Sequence, residues 1–407
     1  MKREIERITG IIEKHQKGFG FIRQEEGVDV FVAPDRMAGA MNGDKVEAEI
    51  VPPHMTRRNR EAAVVKVLER KTAEVVGTFE RHKHYGFVVP DDKKIGEDVF
   101  IKKDFFRNAQ TGDKVVAKIT AYPDAARSLE GKITEVIARE GQPGSDVLSL
   151  IRSYGLYETF PSRANAEAKA RSKETITDET LKDRLDLRDK TIFTIDGPTA
   201  KDLDDAVSIE ILPNGNYLLG VHIADVSHFV AEDGYLDKEA LKRGTSVYLI
   251  NRVIPMLPKA LSNGSCSLNE GQDRLTLSCF MEIDGEGKVV DHSIRESVIR
   301  SVARMVYDDV SDILEKEDPQ LMAKYSSICE DIKLMGELAA ILRHRRKQRG
   351  SLDFDISEAV ITLDEEENPI AVELEERRTA NRLIEEFMLA ANETVAEHFF
   401  WLNYPFV

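Results

Sequence analysis

The chain is poor in cysteine, and it lacks long apolar runs and any excess of positive charge. Its 407 residues include only three cysteines. Cys266, Cys279 and Cys329 are spaced for neither a zinc site nor a disulfide framework. The apolar runs fall far short of the ~20 residues that a membrane span needs, and no secretory signal follows the amino terminus. We therefore expect a cytoplasmic protein without a membrane segment.

Acidic residues outnumber basic ones, with 73 Asp and Glu against 57 Lys and Arg and a net charge of −16. The first 150 residues are nearly neutral, so almost all of the excess acid lies after them. An acidic surface does not attract nucleic acid by bulk charge. Any polyanion bound by the second part therefore needs a local basic path or metal ions. The length predicts about two to four domains.

A repeat organises the first third of the chain. Three short sequences recur there, residues 18–22 as 85–88, residues 29–32 as 98–101, and Gly-Asp-Lys-Val at both 43–46 and 112–115. Aromatic and β-branched residues alternate with polar ones in both copies, which is typical of short strands. The repeat predicts two small β domains, at 1–70 and 71–140.

Both copies carry aromatic side chains beside lysine and arginine. Strand alternation would place the rings on one face of each domain. Such a face suits single-stranded nucleic acid, because each base that stacks on a ring contributes ~1–3 kcal/mol while the cations follow the backbone. The alternative is that the rings fill a barrel core. The repeated pattern favours nucleic-acid binding by Phe19, Phe21 and Phe31 in the first copy and by Tyr85 and Phe87 in the second.

Four aspartates follow a predicted β-branched strand at 191–195. They are Asp196, Asp202, Asp204 and Asp205, with Lys201 as the only cation between them. Converging carboxylates repel one another by about 4 kcal/mol per 4 Å pair at an effective dielectric of 20, so the cluster needs protons, solvent or a cation. Oxygen ligands suit Mg²⁺, and Mn²⁺ is an alternative. The spacing of the aspartates does not fit an EF-hand loop. The alternative interpretation, a polar turn with solvated carboxylates, stays open.

Several later residues have two interpretations each. His222 and His228 could bind metal, but hydrogen-bonded structural roles are commoner and are favoured beside a carboxylate site. Tyr248 could stack a base or belong to the core. A basic run at 343–349 ends a helix predicted from about residue 327, and it is either a solvated helix end or a path for phosphates. A second helix is predicted at 379–400.

These motifs, in this order, resemble those of the ribonuclease II / ribonuclease R family. Within that family the resemblance is nearer to the ribonuclease R branch. The matching segments are 194–207, 222–229, 244–248, 254–258, 261–268, 349–354 and 381–388, preceded by cold-shock-like segments at 17–22 and 29–32. The resemblance covers essentially the whole chain. It implies a multidomain fold with two all-β OB-fold barrels at 1–70 and 71–140. A helical connector at 141–185 and an α+β catalytic domain at 186–407 would follow.

The resemblance also implies an activity, namely processive 3′-to-5′ hydrolysis of single-stranded RNA to nucleoside 5′-monophosphates with a divalent metal. The four aspartates would then be both the catalytic and the metal-binding residues. Tyr248 and Phe354 would stack the terminal bases. Glu386, rather than Glu385, would contact the 3′-terminal sugar, whose 2′-hydroxyl distinguishes RNA from DNA. We expect a monomer with single-stranded RNA as its partner.

The chain departs from the family pattern at a few points. Thr199 stands where the family commonly has aspartate, and Leu203 where it has phenylalanine. The sequence stops before the family's arginine-rich motif and S1 domain, so we expect a catalytic domain that is incomplete at its C-terminus. The main alternative is a non-catalytic RNA-binding protein with a vestigial metal site. Tandem barrels argue against a third interpretation, a small-molecule phosphatase.

Overall fold

The computed structural model describes residues 6–52, 56, 60–124, 127–352 and 358–405. The chain divides into two compact units. The first holds residues 1–158 with 249–251 and 363–369, and the second holds the remainder. Within the described ranges, no helix has the length and apolar character needed to cross a lipid bilayer.

The first five strands close into a barrel in the order β1-β2-β3-β5-β4. They are β1 Arg7–Lys14, β2 Gly20–Arg23, β3 Val30–Val32, β4 Lys45–Ile50 and β5 Glu61–Glu69. The pair β3/β5 is parallel and the other pairs are antiparallel. Aliphatic side chains fill the interior, and Ile12, Ile22, Val30, Val32 and Val46 are completely buried. Alternation therefore turns the intervening side chains outwards.

A second barrel repeats this topology in the order β10-β8-β7-β6-β9. Its strands are β6 Glu74–Arg81, β7 Tyr85–Pro90, β8 Val99–Lys102, β9 Lys114–Ala121 and β10 Glu130–Ala138. Again one pair, β8/β10, is parallel. The core contains Phe79, Val88 and Ile101, and helix α1 Ser145–Ser153 follows. The prediction of two OB-type barrels is confirmed.

The repeated Gly-Asp-Lys-Val sequence forms the turn that enters β4. Gly43 has a φ of 84°, in the left-handed region that glycine adopts without a steric penalty. The buried carboxylate of Asp44 accepts backbone N–H bonds from Met41 at 2.8 Å and Lys71 at 3.0 Å. It also forms an ion pair with Arg70 at 2.8 Å. Asp44 thus joins the start of β4 to the chain that leaves β5.

The second copy forms the same turn at the start of β9. Gly112 has a φ of 90°, and buried Asp113 accepts a backbone N–H bond from Gln110 at 2.8 Å. Arg139, which follows β10, pairs with this carboxylate as Arg70 does in the first copy. The sequence repeat therefore reflects one buried turn that both barrels need.

A five-stranded sheet in the order β11-β18-β17-β14-β13 is central to the second unit. The earlier elements are α2 Ser162–Arg171, α3 Asp178–Leu181, β11 Leu185–Asp186, β12 Thr194–Asp196, β13 Asp205–Ile211, β14 Tyr217–Ala224, α4 Val226–Phe229, α5 Tyr235–Arg243, β15 Val247–Tyr248 and β16 Val253–Ile254. The later elements are β17 Asp273–Ile283, β18 Val289–Arg300, β19 Arg304–Val306, α6 Tyr307–Lys316, α7 Pro319–Lys324, α8 Cys329–Gln348, β20 Glu358–Leu363, β21 Pro369–Glu375 and α9 Thr379–Trp401.

Helices cover this sheet with two apolar cores. One core joins β13, β14 and β17 to α6, α8 and α9, with Phe193, Met281, Leu338 and Phe387 among its buried side chains. The other joins α2 and α5 to the turn that contains Leu261. The helices predicted near 327–349 and at 379–400 are α8 and α9, and the α+β class predicted for this part is confirmed.

We expect Asp44→Ala to destabilise the first barrel by about 3 kcal/mol, because it leaves Arg70 and two backbone N–H groups without their partner. Hydrogen exchange of the β1 amides measures this barrel separately. The exposed Asp35→Ala in the same barrel is the control and should change stability by about 0.5 kcal/mol or less. Equal losses in the two variants would contradict the role assigned to Asp44.

Candidate active site

Neighbouring strands bring the first and last of the four aspartates together. Asp196 is the last residue of β12, and Asp205 is the first residue of β13. Phe193 forms a β-bridge to Val207, so the two strands lie side by side. The strand predicted at 191–195 thus lies slightly later and includes Asp196. Asp202 and Asp204 lie on the intervening segment 197–204, which we call the aspartate loop.

The four carboxylates influence one another electrostatically. Burial, the largest cause, and then the charge of Asp205 raise the pKa of Asp196 to about 7. Desolvation, followed by the charges of Asp202 and Asp205, raises the pKa of Asp204 to about 6, although one side of Asp204 is exposed to solvent. Burial also raises the pKa of Asp205. The cluster is therefore incompletely neutralised by the protein.

The donor set fits a hard divalent cation. In the part of the chain that the structure describes, Oδ2 of Asp196 is buried and has no hydrogen-bond partner. Within the same ranges, no three His, Cys, Asp or Glu side chains form a group that could hold a metal ion unaided. Mg²⁺ usually takes only one or two carboxylates and completes its shell with water and phosphate oxygens. The arrangement therefore suits an ion that also binds a phosphate substrate.

Arg304 is a cation at this site that the sequence analysis missed. It begins β19, which pairs in parallel with β12. Its Nη2 donates to the carbonyl oxygens of Ala200 at 2.6 Å and Pro198 at 3.2 Å. Its charge opposes the rise in the pKa of Asp196. Arg304 is remote from the aspartates in sequence, so only the strand pairing reveals it.

Tyr248 lies at the edge of the carboxylate cluster, and the interpretation of it as a core residue is wrong. The side chain is 67% exposed. Its hydroxyl donates to Oδ2 of Asp202 at 2.9 Å, and this hydrogen bond is the largest cause that raises the pKa of Tyr248 to about 12. One face of an aromatic ring is therefore available beside the aspartates.

The structure places Glu386 on α9, where it is only 4% exposed. Its carboxylate accepts hydrogen bonds from Arg346 of α8 at 2.7–3.1 Å. Arg349, in the same basic run, pairs with Glu393 at 2.6 Å. Part of this run therefore joins two helices and does not form an open path for phosphates. Phe354 lies outside the described residues.

The ring of His222 has a hydrogen-bonded structural position, in agreement with the favoured interpretation, whereas the role of the His228 ring stays a prediction. Buried His222 lies between the hydroxyls of Ser208 at 3.0 Å and Ser278 at 2.7 Å. Burial lowers its pKa to about 3, so the ring is neutral and belongs to the interior of the sheet. His228 lies on α4, and its backbone N–H donates to Asp225.

The aromatic residues of the first barrel form a cluster outside its aliphatic core. The ring centroids of Phe19, Phe21 and Phe31 are 5.6–6.1 Å apart. His15 stacks on Phe19, with centroids 4.5 Å apart and planes 8° from parallel. The interpretation of these rings as barrel core is therefore wrong. We call these four residues the first aromatic cluster.

The second barrel carries a matching cluster, which we call the second aromatic cluster. It consists of His82, Tyr85, Phe87 and Phe100, and His82 stacks on Tyr85 with centroids 4.9 Å apart. Strand alternation alone does not place His15 and His82 on these faces. A signal was available, because a basic residue followed by histidine, at 14–15 and at 81–82, precedes the aromatic residues in both copies.

Comparisons with known proteins agree with this architecture. Residues 10–67 match the ribonuclease B OB domain, 87–161 the cold shock domain, and 184–407 the RNB domain. A ribonuclease R of Thermotoga maritima is 45% identical over 98% of this chain and 56% of its own length. Ribonuclease R 2 of Lactococcus lactis is 41% identical over 96% of this chain and 61% of its own length.

A solved structure has the same fold. Mycoplasma genitalium RNase R in complex with ribose-methylated single-stranded RNA superposes with a TM-score of 0.86 and 26% identity, over 97% of this chain and 62% of that one. This chain thus spans only about three fifths of the length of these proteins. Because the RNB domain match covers more than half of its residues, the chain belongs to the RNB family and resembles ribonuclease R.

Proposed function

We propose that this chain is a processive 3′-to-5′ exoribonuclease that hydrolyses single-stranded RNA to nucleoside 5′-monophosphates with Mg²⁺ or Mn²⁺. The observation that carries the proposal is that Asp196 and Asp205, at the ends of β12 and β13, interact electrostatically with Asp202 and Asp204 on the loop between them, while Oδ2 of Asp196 is buried without a partner among the described residues. The match to the RNB domain supports the reaction class. The proposed role of each aspartate is both catalytic and metal-binding.

The divalent ion, when bound, supplies an activated water and neutralises charge on the phosphate. The chain's own residues position the carboxylates and the RNA for this chemistry. Asp196 and Asp205 are held by strands, while Asp202 and Asp204 are held by the aspartate loop. Tyr248 offers its ring for stacking on a terminal base, and its hydroxyl orients Asp202. Contact of Phe354 and Glu386 with RNA remains a prediction from the family.

The barrels provide the grip on RNA in this proposal. Each presents an exposed or half-buried aromatic cluster of the kind on which successive bases stack. Stacking tolerates every base, so it suits an enzyme that must move along any sequence. The complex of the Mycoplasma protein with single-stranded RNA supports RNA as the substrate. We also propose a monomer in the cytoplasm, and the three buried free cysteines among the described residues agree with that reducing compartment.

A second candidate is a non-catalytic RNA-binding protein with a vestigial metal site. One observation favours it, namely that the described residues include no complete group of three metal ligands. RNA binding by the barrels would survive in such a protein, and metal-dependent cleavage would not. A cleavage assay therefore separates the two candidates.

In that assay, 5′-labelled single-stranded RNA should shorten progressively from its 3′ end with Mg²⁺ and not with EDTA. We expect Asp205→Asn to reduce the rate by at least about 100-fold, because it removes a carboxylate that holds the ion. The exposed Asp189→Asn in the same unit is the control and should retain the activity. Retained RNA binding without any cleavage by the unmodified chain would favour the second candidate.

We expect Asp196→Asn to stabilise the metal-free protein at pH 8. In the folded state the pKa of Asp196 is about 7 against an ordinary value of 3.8, so folding becomes less favourable as pH rises from about 4 to 7. Asparagine removes this penalty, which amounts to about 2 kcal/mol after allowance for partial exposure. Thermal melts in EDTA should show a benefit at pH 8 that shrinks towards pH 4. A benefit that is equal at both pH values would contradict this explanation.

We expect Phe21→Ala and Tyr85→Ala each to weaken binding of single-stranded RNA by about 1–3 kcal/mol, because each removes a ring on which a base stacks. Fluorescence anisotropy in EDTA measures binding without cleavage. Leu68→Ala, at an exposed apolar position of β5 outside the clusters, is the matched control. If all three variants bind RNA as tightly as the parent does, the aromatic clusters are not the RNA-binding surface.

A further inference from the structure

The aspartate loop has no regular secondary structure, although it carries two of the four carboxylates. Strand pairing fixes Asp196 and Asp205 at its two ends, and one further bond, from the N–H of Ala224 at the end of β14 to the carbonyl oxygen of Asp204 at 2.9 Å, fixes the last loop residue. The repulsion between like charges drives Asp202 and Asp204 away from the other two. Something other than the strands must therefore hold residues 197–203. Two side chains that are remote in sequence bind the backbone of this segment.

Ser267 binds the second half of the loop from the side of the protein core. Its side chain is completely buried. The hydroxyl accepts the N–H of Leu203 at 3.1 Å and donates to the carbonyl oxygen of Lys201 at 3.1 Å. The next residue continues this attachment, since the N–H of Leu268 donates to the carbonyl oxygen of Leu203 at 2.9 Å. The two loop residues so fixed flank Asp202 directly.

Arg304 binds the first half of the loop, whereas Ser267 binds the second half. Its Nη2 donates to Pro198 and Ala200, on either side of Thr199. The backbone of Arg304 is itself anchored, because β19 pairs with β12 and the N–H of Arg304 donates to Glu270 at 3.0 Å. Arg304 is an exposed residue, so loss of its side chain should not disturb the core.

We propose that Ser267 and Arg304 are positioning residues that fix the aspartate loop in its metal-binding form before an ion arrives. This gives a role to Ser267 and Leu268, the two residues of the segment 261–268 that bind the loop. This role rests on the metal site of the proposed function. RNA cleavage itself enters only in the expected effect on kcat. Neither residue needs to touch the ion or the RNA. Their effect passes through the backbone to Asp202 and Asp204.

The test uses Ser267→Ala and Arg304→Gln in the full chain. Hydrogen exchange of residues 197–204 in EDTA should become faster in both variants, most clearly at Leu203 in Ser267→Ala. Mn²⁺ alone is the probe of the metal site, by electron paramagnetic resonance of the free ion. We expect its dissociation constant to rise about 10–100-fold, the effect typical of residues that orient metal ligands. Affinity for single-stranded RNA in EDTA should stay unchanged.

Matched controls separate positioning from a general loss of stability. Ser311→Ala also removes a completely buried hydroxyl that accepts a backbone N–H, that of Ala380 at 3.1 Å. Arg300→Gln removes an exposed arginine that pairs with Asp273. Both controls should leave the Mn²⁺ affinity as it is in the parent chain. Arg304→Lys should restore part of the affinity, since an ammonium group can donate to both carbonyls.

The results separate this proposal from the proposed function. Unchanged Mn²⁺ affinity and unchanged loop exchange in both variants would overturn it, as would an equal loss of affinity in the controls. If Ser267→Ala fails to fold, the exposed Arg304→Gln decides alone. If the parent chain binds Mn²⁺ but never cleaves RNA, the proposed function fails, whereas the exchange and Mn²⁺ measurements still test the positioning residues. With an active parent, both variants should lower kcat and leave KM for RNA unchanged.

Discussion

The mutual repulsion of four aspartates is the constraint on which the rest of the second unit depends. Each carboxylate must be brought close to the others, and burial raises the pKa of three of them, Asp196, Asp204 and Asp205. Few side-chain cations lie at the site among the described residues. Hydrogen bonds to the backbone must therefore hold the carboxylates together against their repulsion. The strand pairs β12/β19 and β13/β14 hold Asp196 and Asp205, while bonds from Ser267, Arg304 and the end of β14 hold the loop that carries the other two aspartates. The unfavourable charge is then available to attract a divalent ion.

In the proposed function both units must hold a polyanion, and they would do so with different chemistry. The first 150 residues are nearly neutral, and their barrels present stacked rings whose attraction for bases does not depend on net charge. The second unit is acidic and would repel RNA unless metal ions were present. The proposed function thereby separates RNA affinity, in the barrels, from reactivity, at the aspartates. The proposed RNA binding in EDTA and the proposed metal requirement for cleavage both follow from this separation.

Local patterns were enough to predict the barrels, because a repeated buried turn and strict alternation leave a direct record in the sequence. Asp44 and Asp113 sit in identical tetrapeptides since both satisfy the same backbone donors. Alternation placed the aromatic residues on one face, but it could not distinguish inside from outside. That depended on the aliphatic residues, such as Ile22 and Val30, that fill the interior. The four aspartates were found because they are neighbours in the chain. Arg304 and Ser267 were not assigned a role, since each reaches the loop only through tertiary structure.

Glu386 is expected from the family resemblance to contact RNA, and in the structure it forms an ion pair with Arg346. The carboxylate is nearly buried and receives Arg346 through two nitrogen atoms, so the pair holds α8 against α9. Removing one member of a buried ion pair costs about 3–5 kcal/mol, and a sugar hydroxyl could not displace Arg346 without a comparable loss. A carboxylate has about four acceptor positions, however, and Arg346 occupies three of them. A sugar hydroxyl that donates to a remaining position would keep the ion pair intact. Contact with RNA and the joining of the two helices are therefore compatible roles for Glu386, and the arginine would then orient the carboxylate for both.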